Sequence, residues 1–431
     1  VRLALVVQRY AEDIGGGSEL HARYIAEHLS AHANVRVLTT CARDYVSWKN
    51  EYPAGETKVN GITVERFAVA RERDARDFAR RSSLVFEATH STADELAWLE
   101  SQGPVSPALL ARVGGAAREV DFVVLFSVRY HSAFHGARAA AGKAVLVPTT
   151  ERDPAVGLDI LGPVLRGVRG IMYNTPEERA LIGALHANTH VPAVTVGVGS
   201  QIPDTTDAAG AAVKFGLERP YVLYVGRIDV NKGCVELFDY FQQYASRSDR
   251  AIDLVLIGTP VMPVPAHPRI RHLGYVGDQD KFDVLAGAEA LVMPSYYESL
   301  SMVMIEAWAL GVPVLANGRC DVLAGQCLRS NGGLFYDSGR EFEAMLDRLL
   351  EDPALAAELG ENGRAFYEAH YQWPVIERAY EEMFERLSAQ PPAAPMEPLP
   401  GWLAGRQRRI PPAAAVVSAA PSGPVARRGG S

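Results

Sequence analysis

Cysteine is scarce. The chain of 431 residues holds four, Cys41, Cys234, Cys320 and Cys327. They are too few and too scattered for a disulfide scaffold, and none has the paired CxxC spacing of a zinc site. Reduced cytoplasmic thiols are the expectation, with Cys320 and Cys327 packing rather than reacting. Long apolar runs are also missing: none reaches the roughly 18–20 residues of a membrane-spanning helix. The opening VRLALVVQRY lacks the positive region, apolar core and small-residue cleavage site of a secretory leader. Basic charge is in deficit, 43 Lys and Arg against 51 Asp and Glu for a net charge of −8. That balance argues against generic nucleic-acid binding, which needs a basic face. The remaining composition, 48% hydrophobic and 22% charged, is that of a globular protein with a substantial core, long enough for two domains of about 100–200 residues.

The charge is unevenly spread. From Ala389 onward the sequence turns to Pro, Ala, Gly and Ser, and 9 of the 27 prolines fall in the last 43 residues. The tail has five arginines (Arg406, Arg408, Arg409, Arg427, Arg428) against one acid, Glu397. Such a segment buries too little apolar surface to offset its ordering entropy, so 389–431 reads as a disordered Pro/Ala-rich tail. Its basic clusters suit either a solubilising extension or a peripheral contact with an anionic membrane, the inner membrane surface in that case.

Upstream, apolar runs alternate with amphipathic segments. Strand-like runs lie at 3–7, 35–40, 121–127, 144–149, 170–175 and 193–198, and again at 221–226, 253–258, 270–276, 290–295, 312–317 and 333–338. Continuous apolar strands between helices imply parallel sheets covered on both faces. The pattern restarts after the polar stretch QIPDTTDAAGAA. The expected architecture is α/β with two facing Rossmann-like domains, 1–200 and 214–372, joined by a linker at 201–213 and separated by an interdomain cleft. An amphipathic helix at 373–388 is expected to pack back on the first domain. Ligands in such sheets bind at the carboxyl ends of the strands, which directs attention to the loops there.

Three loops carry candidate chemistry. GGGSE (15–19) leaves backbone amides unshielded before a helix that Ser18 is placed to cap, a cradle for phosphate or a bare glycine turn. VGRIDVNKG (225–233) places Arg227 and Lys232 five residues apart at the end of a strand. These suit a diphosphate held without metal or a surface pair answered by Asp229. PSYYESLSMVMIEAWAL (294–310) reads as a buried helix capped by Ser299 or Ser301. Its one charged residue, Glu306, needs a ligand diol or a structural arginine, because a lone buried carboxylate is costly. Glu298 stands eight positions earlier, about 12 Å along a helix. That is farther than the roughly 5–5.5 Å pair of a retaining glycosidase.

In this order and spacing, the glycine loop, the Gly-Arg-x-Asp-x-x-Lys-Gly segment and the Glu-x7-Glu helix resemble a retaining glycosyltransferase of family 4 with the GT-B fold, over residues 1–388. The resemblance implies a metal-independent hexosyltransferase of the EC 2.4 type, acting in glycan biosynthesis. It would need no cofactor and would take a nucleoside diphosphate sugar of UDP or GDP type as donor. The acceptor would be a glycan, lipid or small molecule bound by the first domain, including 71–113. Arg227 and Lys232 would hold the diphosphate, Glu306 the ribose and Glu298 the transferred sugar. Ser299, Leu300 and Ser301 would offer backbone amides, Tyr275 and Val276 would lie beside the base, and Gly16 and Gly17 would face the diphosphate from the first domain. One departure stands out: where such sequences place a histidine near the donor sugar, this chain has Glu151, with His131 and His135 as neighbouring candidates. Glu151 there would stabilise developing positive charge or orient the acceptor, or mark altered activity.

Other patterns are read down. Asp278-Gln279-Asp280 has the DxD form of metal-dependent transferases but suits a helix cap. RERDARDFARR (71–81) suits a solvated helix face rather than a lipid or acceptor site. Two rivals to transfer remain: a non-catalytic sugar-nucleotide-binding partner on the same scaffold, and another two-Rossmann enzyme, a sugar-nucleotide epimerase or a dinucleotide oxidoreductase. The absence of GxGxxG after the first strand counts against the oxidoreductase.

Overall fold

A computed structural model describes residues 1–391, 396–399 and 413–420. The first sheet has eight strands: β1 (Arg2–Val6), β2 (Asn34–Thr40), β3 (Gly55–Val59), β4 (Ile62–Phe67), β5 (Phe122–Phe126), β6 (Ala144–Val147), β7 (Gly170–Tyr173) and β8 (Ala193–Thr195). They are ordered β3-β4-β2-β1-β5-β6-β7-β8. The second sheet has six: β9 (Tyr221–Val225), β10 (Asp253–Ile257), β11 (Ile270–His272), β12 (Ala290–Met293), β13 (Val314–Asn317) and β14 (Gly333–Tyr336). Their order is β11-β10-β9-β12-β13-β14. Every pairing is parallel except β3 with β4. The strand order reverses beside β1 and beside β9, where connections leave in opposite directions and open a crevice at the carboxyl ends.

Burial on both faces explains the continuous apolar runs. Every residue of Phe122–Phe126 and Tyr221–Val225 is buried. Alternate side chains feed separate cores: Leu3 and Leu5 join one cluster, Ala4 and Val6 the other. The second sheet divides likewise, with Val222 and Tyr224 on one face and Leu223 and Val225 on the other.

Each of the twelve apolar runs overlaps a strand. The β3–β4 hairpin has a different signature. β3 exposes four of its five residues and β4 alternates buried with half-buried ones, so neither presents a continuous apolar run. The available signal is Asn60-Gly61, whose φ angles of 47° and 82° close a two-residue hairpin.

The linker is shorter than 201–213. A helix, Ala208–Phe215, starts inside it, with the Asp207 carboxylate accepting from the Gly210 amide at 2.8 Å. The helix Trp373–Ser388 lies against the first sheet, burying Tyr380, Met383, Phe384 and Leu387, and the Phe384 ring stacks on Phe122 at 5.1 Å. Most of the expected disordered tail, 389–431, including its arginines, lies outside the described residues. Of the described part, Met396 and Leu399 touch the first core and Glu397 pairs with Arg166 at 2.8 Å. No helix among the described residues is long and apolar enough to cross a membrane.

Candidate active site

Loops from the carboxyl ends of both sheets enclose a cleft of about 650 Å³. The glycine loop reaches it from the first domain. The helix there starts at Gly17, two residues earlier than a Ser18 cap would place it, and its N-cap is Gly16 with no side-chain cap. The Ser18 hydroxyl instead touches the Glu19 carboxylate at 3.1 Å. An added Cβ at Gly16 would sit 2.3 Å from Glu19 Oε2, so any larger residue here would push the Glu19 carboxylate from its place. Glu19 is held by Arg9 at 2.6 Å, and the pair is 6% and 8% exposed. Gly15 and Gly17 face open space, so this helix N-terminus presents amides rather than side chains.

From the second domain, the loop after β9 brings Arg227 and Lys232 to the same cleft. Gly233 makes this possible. Its φ is 70°, and a Cβ would lie 2.0 Å from the Pro294 carbonyl oxygen, so only glycine lets the loop press against the end of β12. Lys232 Nζ then reaches Glu298 Oε1 at 2.6 Å. Burial pulls the lysine towards neutrality, but Glu298 and Glu151 outweigh it and its pKa rises. Arg227 Nε lies 2.9 Å from Asp229 Oδ2, and a second guanidinium nitrogen donates across the cleft to the Tyr45 hydroxyl.

Glu298 and Glu306 do not share one helix. The helix spans Met302–Ala309, and Ser301 precedes it with φ 71° and no side-chain cap, correcting the serine-cap expectation. Glu298 sits beyond that turn, so the 12 Å helical separation does not apply. Glu306, 2% exposed, is met by Lys281 at 3.0 Å and by the Ser200 hydroxyl at 2.7 Å. A lysine and a serine hydroxyl thus answer the buried carboxylate, where the sequence offered an arginine or a ligand diol. Each glutamate therefore has its own lysine on the cleft wall. Ser299, Leu300 and Ser301 line the cleft, and Asn174 of the first domain donates to Ser299 Oγ at 3.3 Å.

Glu151 also lines the cleft, close to Lys232, Glu298, Arg129 and Asp153. Burial first, then Glu298, pushes its carboxyl up to about 7, against the pull of Lys232. Its loop is pinned by Glu178, which accepts from the Thr150 amide at 2.5 Å and the Asn174 amide at 2.6 Å. Thr149 and Ser127 beside it have φ of 46° and 64°. Together with Ser301 they form three strained turns on one cleft, each costing about 1–3 kcal/mol. Four buried polar atoms of the wall, His21 Nε2, Arg129 Nε, Asn174 Oδ1 and Ser295 Oγ, have neither a hydrogen-bond nor an ion-pair partner among the described residues.

Other expected residues lie apart. Tyr275 is 84% exposed and Val276 packs against the second core; neither lines the cleft. The His131 and His135 rings lie 4.4 Å apart, tilted by 51°, beside Arg71, and burial pulls His131 down to about 3. Asp278 and Asp280 occupy the first turn of a helix whose N-cap is Gly277, so neither is the cap. Among the described residues no three His, Cys, Asp or Glu side chains gather as a metal site. Cys320 and Cys327 are buried, and burial raises their thiols to about 11 and 12. Sequence reading missed Lys281, Arg129, Asn174 and Tyr45. Each lies outside the three motif loops, and long-range folding alone brings it to the cleft.

Residues 208–366 match the family model of Glycosyl transferases group 1. The α-D-kanosaminyltransferase of Streptomyces kanamyceticus is 31% identical over 176 residues, 37% of this chain and 44% of that protein. The MMP α-(1→4)-mannosyltransferase of Mycolicibacterium hassiacum is 28% identical over 159 residues, 33% of this chain and 38% of that protein. The chain thus spans less than half the length of these relatives. Sucrose-phosphate synthase from Thermosynechococcus elongatus superposes with a TM-score of 0.63 at 18% identity, covering 90% of this chain and 99% of that one. HepE of Anabaena in complex with UDP and glucose gives 0.65 at 16%, covering 89% and 99%. These likenesses fix the architecture: the fold is GT-B. The chain has the GT-B fold, and its residues 208–366 match the group 1 glycosyl transferases.

Proposed function

We propose that the protein transfers a sugar from a nucleoside diphosphate sugar to an acceptor hydroxyl, with retention of anomeric configuration and without a metal ion. One observation carries this reading. Arg227 and Lys232 converge on a cleft where two helices, Gly17–Leu29 and Met302–Ala309, also end their N-termini. Two cations and two sets of unpaired amides form a site for a diphosphate and for the charge that grows on it as the glycosidic bond breaks. Glu306 would hold the ribose and Glu298 the sugar, with Glu151 beside it. The leaving phosphate oxygen would accept the acceptor's proton, so the protein contributes positioning and charge stabilisation. The acceptor would bind on the first domain, and the enzyme would work in the cytoplasm.

UDP and GDP are the donor bases to compare, since HepE binds UDP and a Corynebacterium glutamicum relative is named GDP-mannose-dependent. A thermal-shift screen against UDP, GDP and their sugars tests the reading; a binder at 100 times its dissociation constant adds about 2.7 kcal/mol. Product analysis of the anomeric configuration, with and without chelator, tests retention and metal independence. Failure of every nucleotide to bind overturns the proposal.

A further inference from the structure

Tyr45 lies between the two halves of the cleft. It sits on the loop that follows β2, and that loop is held in place rather than draped. Asp44 Oδ1 accepts from the Val46 and Ser47 amides at 2.7 Å each, and Asp44 Oδ2 accepts from the Ser47 hydroxyl at 2.6 Å. Arg9 donates to the Arg43 carbonyl at 2.8 Å and Arg73 to the Tyr45 carbonyl at 2.9 Å. Trp48 Nε1 anchors the far end on the Gln102 carbonyl at 2.7 Å.

These contacts aim the phenol into the cleft. The guanidinium carbons of Arg9 and Arg227 lie 5.5 Å from the ring centroid, one from each domain. A ring flanked by two guanidinium groups is favourably placed. Its hydroxyl oxygen accepts a hydrogen bond from Arg227, which leaves the phenolic proton to be donated. A hydroxyl that accepts from a cation is also a stronger donor. Arg9 is committed to Glu19, so on the first-domain wall Tyr45 and the amides of the glycine loop are left to meet an anion that Arg227 and Lys232 approach from the second.

We propose that Tyr45 is a diphosphate-binding residue: its hydroxyl, polarised by Arg227, donates to the donor's phosphate from the first domain. The assignment rests on the transferase reading and deepens it. Arg227 and Lys232 would hold the diphosphate from one side and Tyr45 from the other, so full donor affinity requires both domains on the same anion.

Isothermal titration on the full chain tests this with UDP, GDP, uridine, guanosine and glucose 6-phosphate as probes, and with wild type, Tyr45→Phe and Lys232→Ala. Tyr45→Phe keeps the ring between the two arginines and removes only the hydroxyl. Its affinity for the nucleoside diphosphate should fall about 10-fold, the scale of one hydrogen bond to a charged group. Its affinity for the nucleoside, and its melting temperature without ligand, should stay at wild-type values. Diphosphate affinity that is unchanged or tighter overturns the assignment. A loss confined to glucose 6-phosphate also overturns it, because the hydroxyl would then serve a phosphorylated acceptor. If Lys232→Ala lowers diphosphate affinity while Tyr45→Phe does not, only the Tyr45 assignment fails. If wild type binds neither nucleotide, the donor reading fails and takes the assignment with it.

Discussion

The two walls of the cleft store charge differently. On the first domain the ion pair nearest the glycine loop, Arg9–Glu19, is closed in at 8% and 6% exposure, and the wall offers backbone amides and strained turns at Ser127 and Thr149. On the second domain the charge stands in two lysine–glutamate pairs, Lys232–Glu298 and Lys281–Glu306, whose lysine side chains remain 30% and 17% exposed. The first wall is therefore preorganised by geometry. The second holds cations balanced by carboxylates until a ligand offers better partners. A wall of fixed dipoles costs nothing to reorganise when charge develops, whereas each lysine of the second wall must exchange an existing contact.

The largest break in this comparison is Lys232→Ala. Turnover should fall on the order of 100–1,000-fold, the usual cost of one preorganised charge-stabilising donor. Because Glu298 loses its partner, the melting temperature should fall as well; steady-state assay and melting curves check both. Wild-type turnover would remove Lys232 from the mechanism.

Glu306→Gln comes next. The Lys281 contact makes the buried carboxylate half of an ion pair, so the variant should lose stability, by about 3 kcal/mol if the lysine is left unpaired. Paired melts with and without UDP or GDP then show whether nucleotide affinity falls too. A variant as stable as wild type would mean that the pair contributes nothing in the empty protein.

Glu178→Ala tests the first wall. It strips the acceptor from the Thr150 and Asn174 amides and should cost about 2 kcal/mol in chemical denaturation, with Glu178→Gln milder. An unchanged midpoint would show that the loop bearing Glu151 holds itself.

The smallest effect is a pH slope. Glu151 titrates at about 7 in the fold against an ordinary value of about 4.3, so the folded state binds an extra proton between these values. Its contribution is fully present below the unfolded value and is lost as pH rises through about 7. Glu151→Gln should therefore gain on wild type between pH 5 and 8, on the order of 1–2 kcal/mol after allowance for partial exposure. Glu178, pushed by burial to about 8, slopes the same way in both proteins. The difference between the two curves is the measurement, and parallel curves would refute the shift.

Sequence alone determined the elements buried on two sides. A strand covered on both faces must be apolar throughout, as β5 and β9 are, and that signal is local in its cause. The loop chemistry was equally local: Arg227, Lys232 and Gly233 occupy one turn, and the glycine loop declares a helix start. What escaped was either half-exposed, like the β3–β4 hairpin, or assembled across distance. Lys281 meets Glu306 because two helices of the second domain, Asp278–Ala286 and Met302–Ala309, lie side by side, and Tyr45 meets Arg227 because the two sheets face each other. Neither Lys281 nor Tyr45 lies in a motif, and no local pattern marks a side chain whose partner is far away in sequence. The carboxylates show the same division. The sequence placed Glu306 in an apolar helix, but only the fold decided that a lysine, rather than an arginine or an open site, would answer its charge. Desolvation forbids leaving a buried charge alone, but it does not choose the partner; packing does.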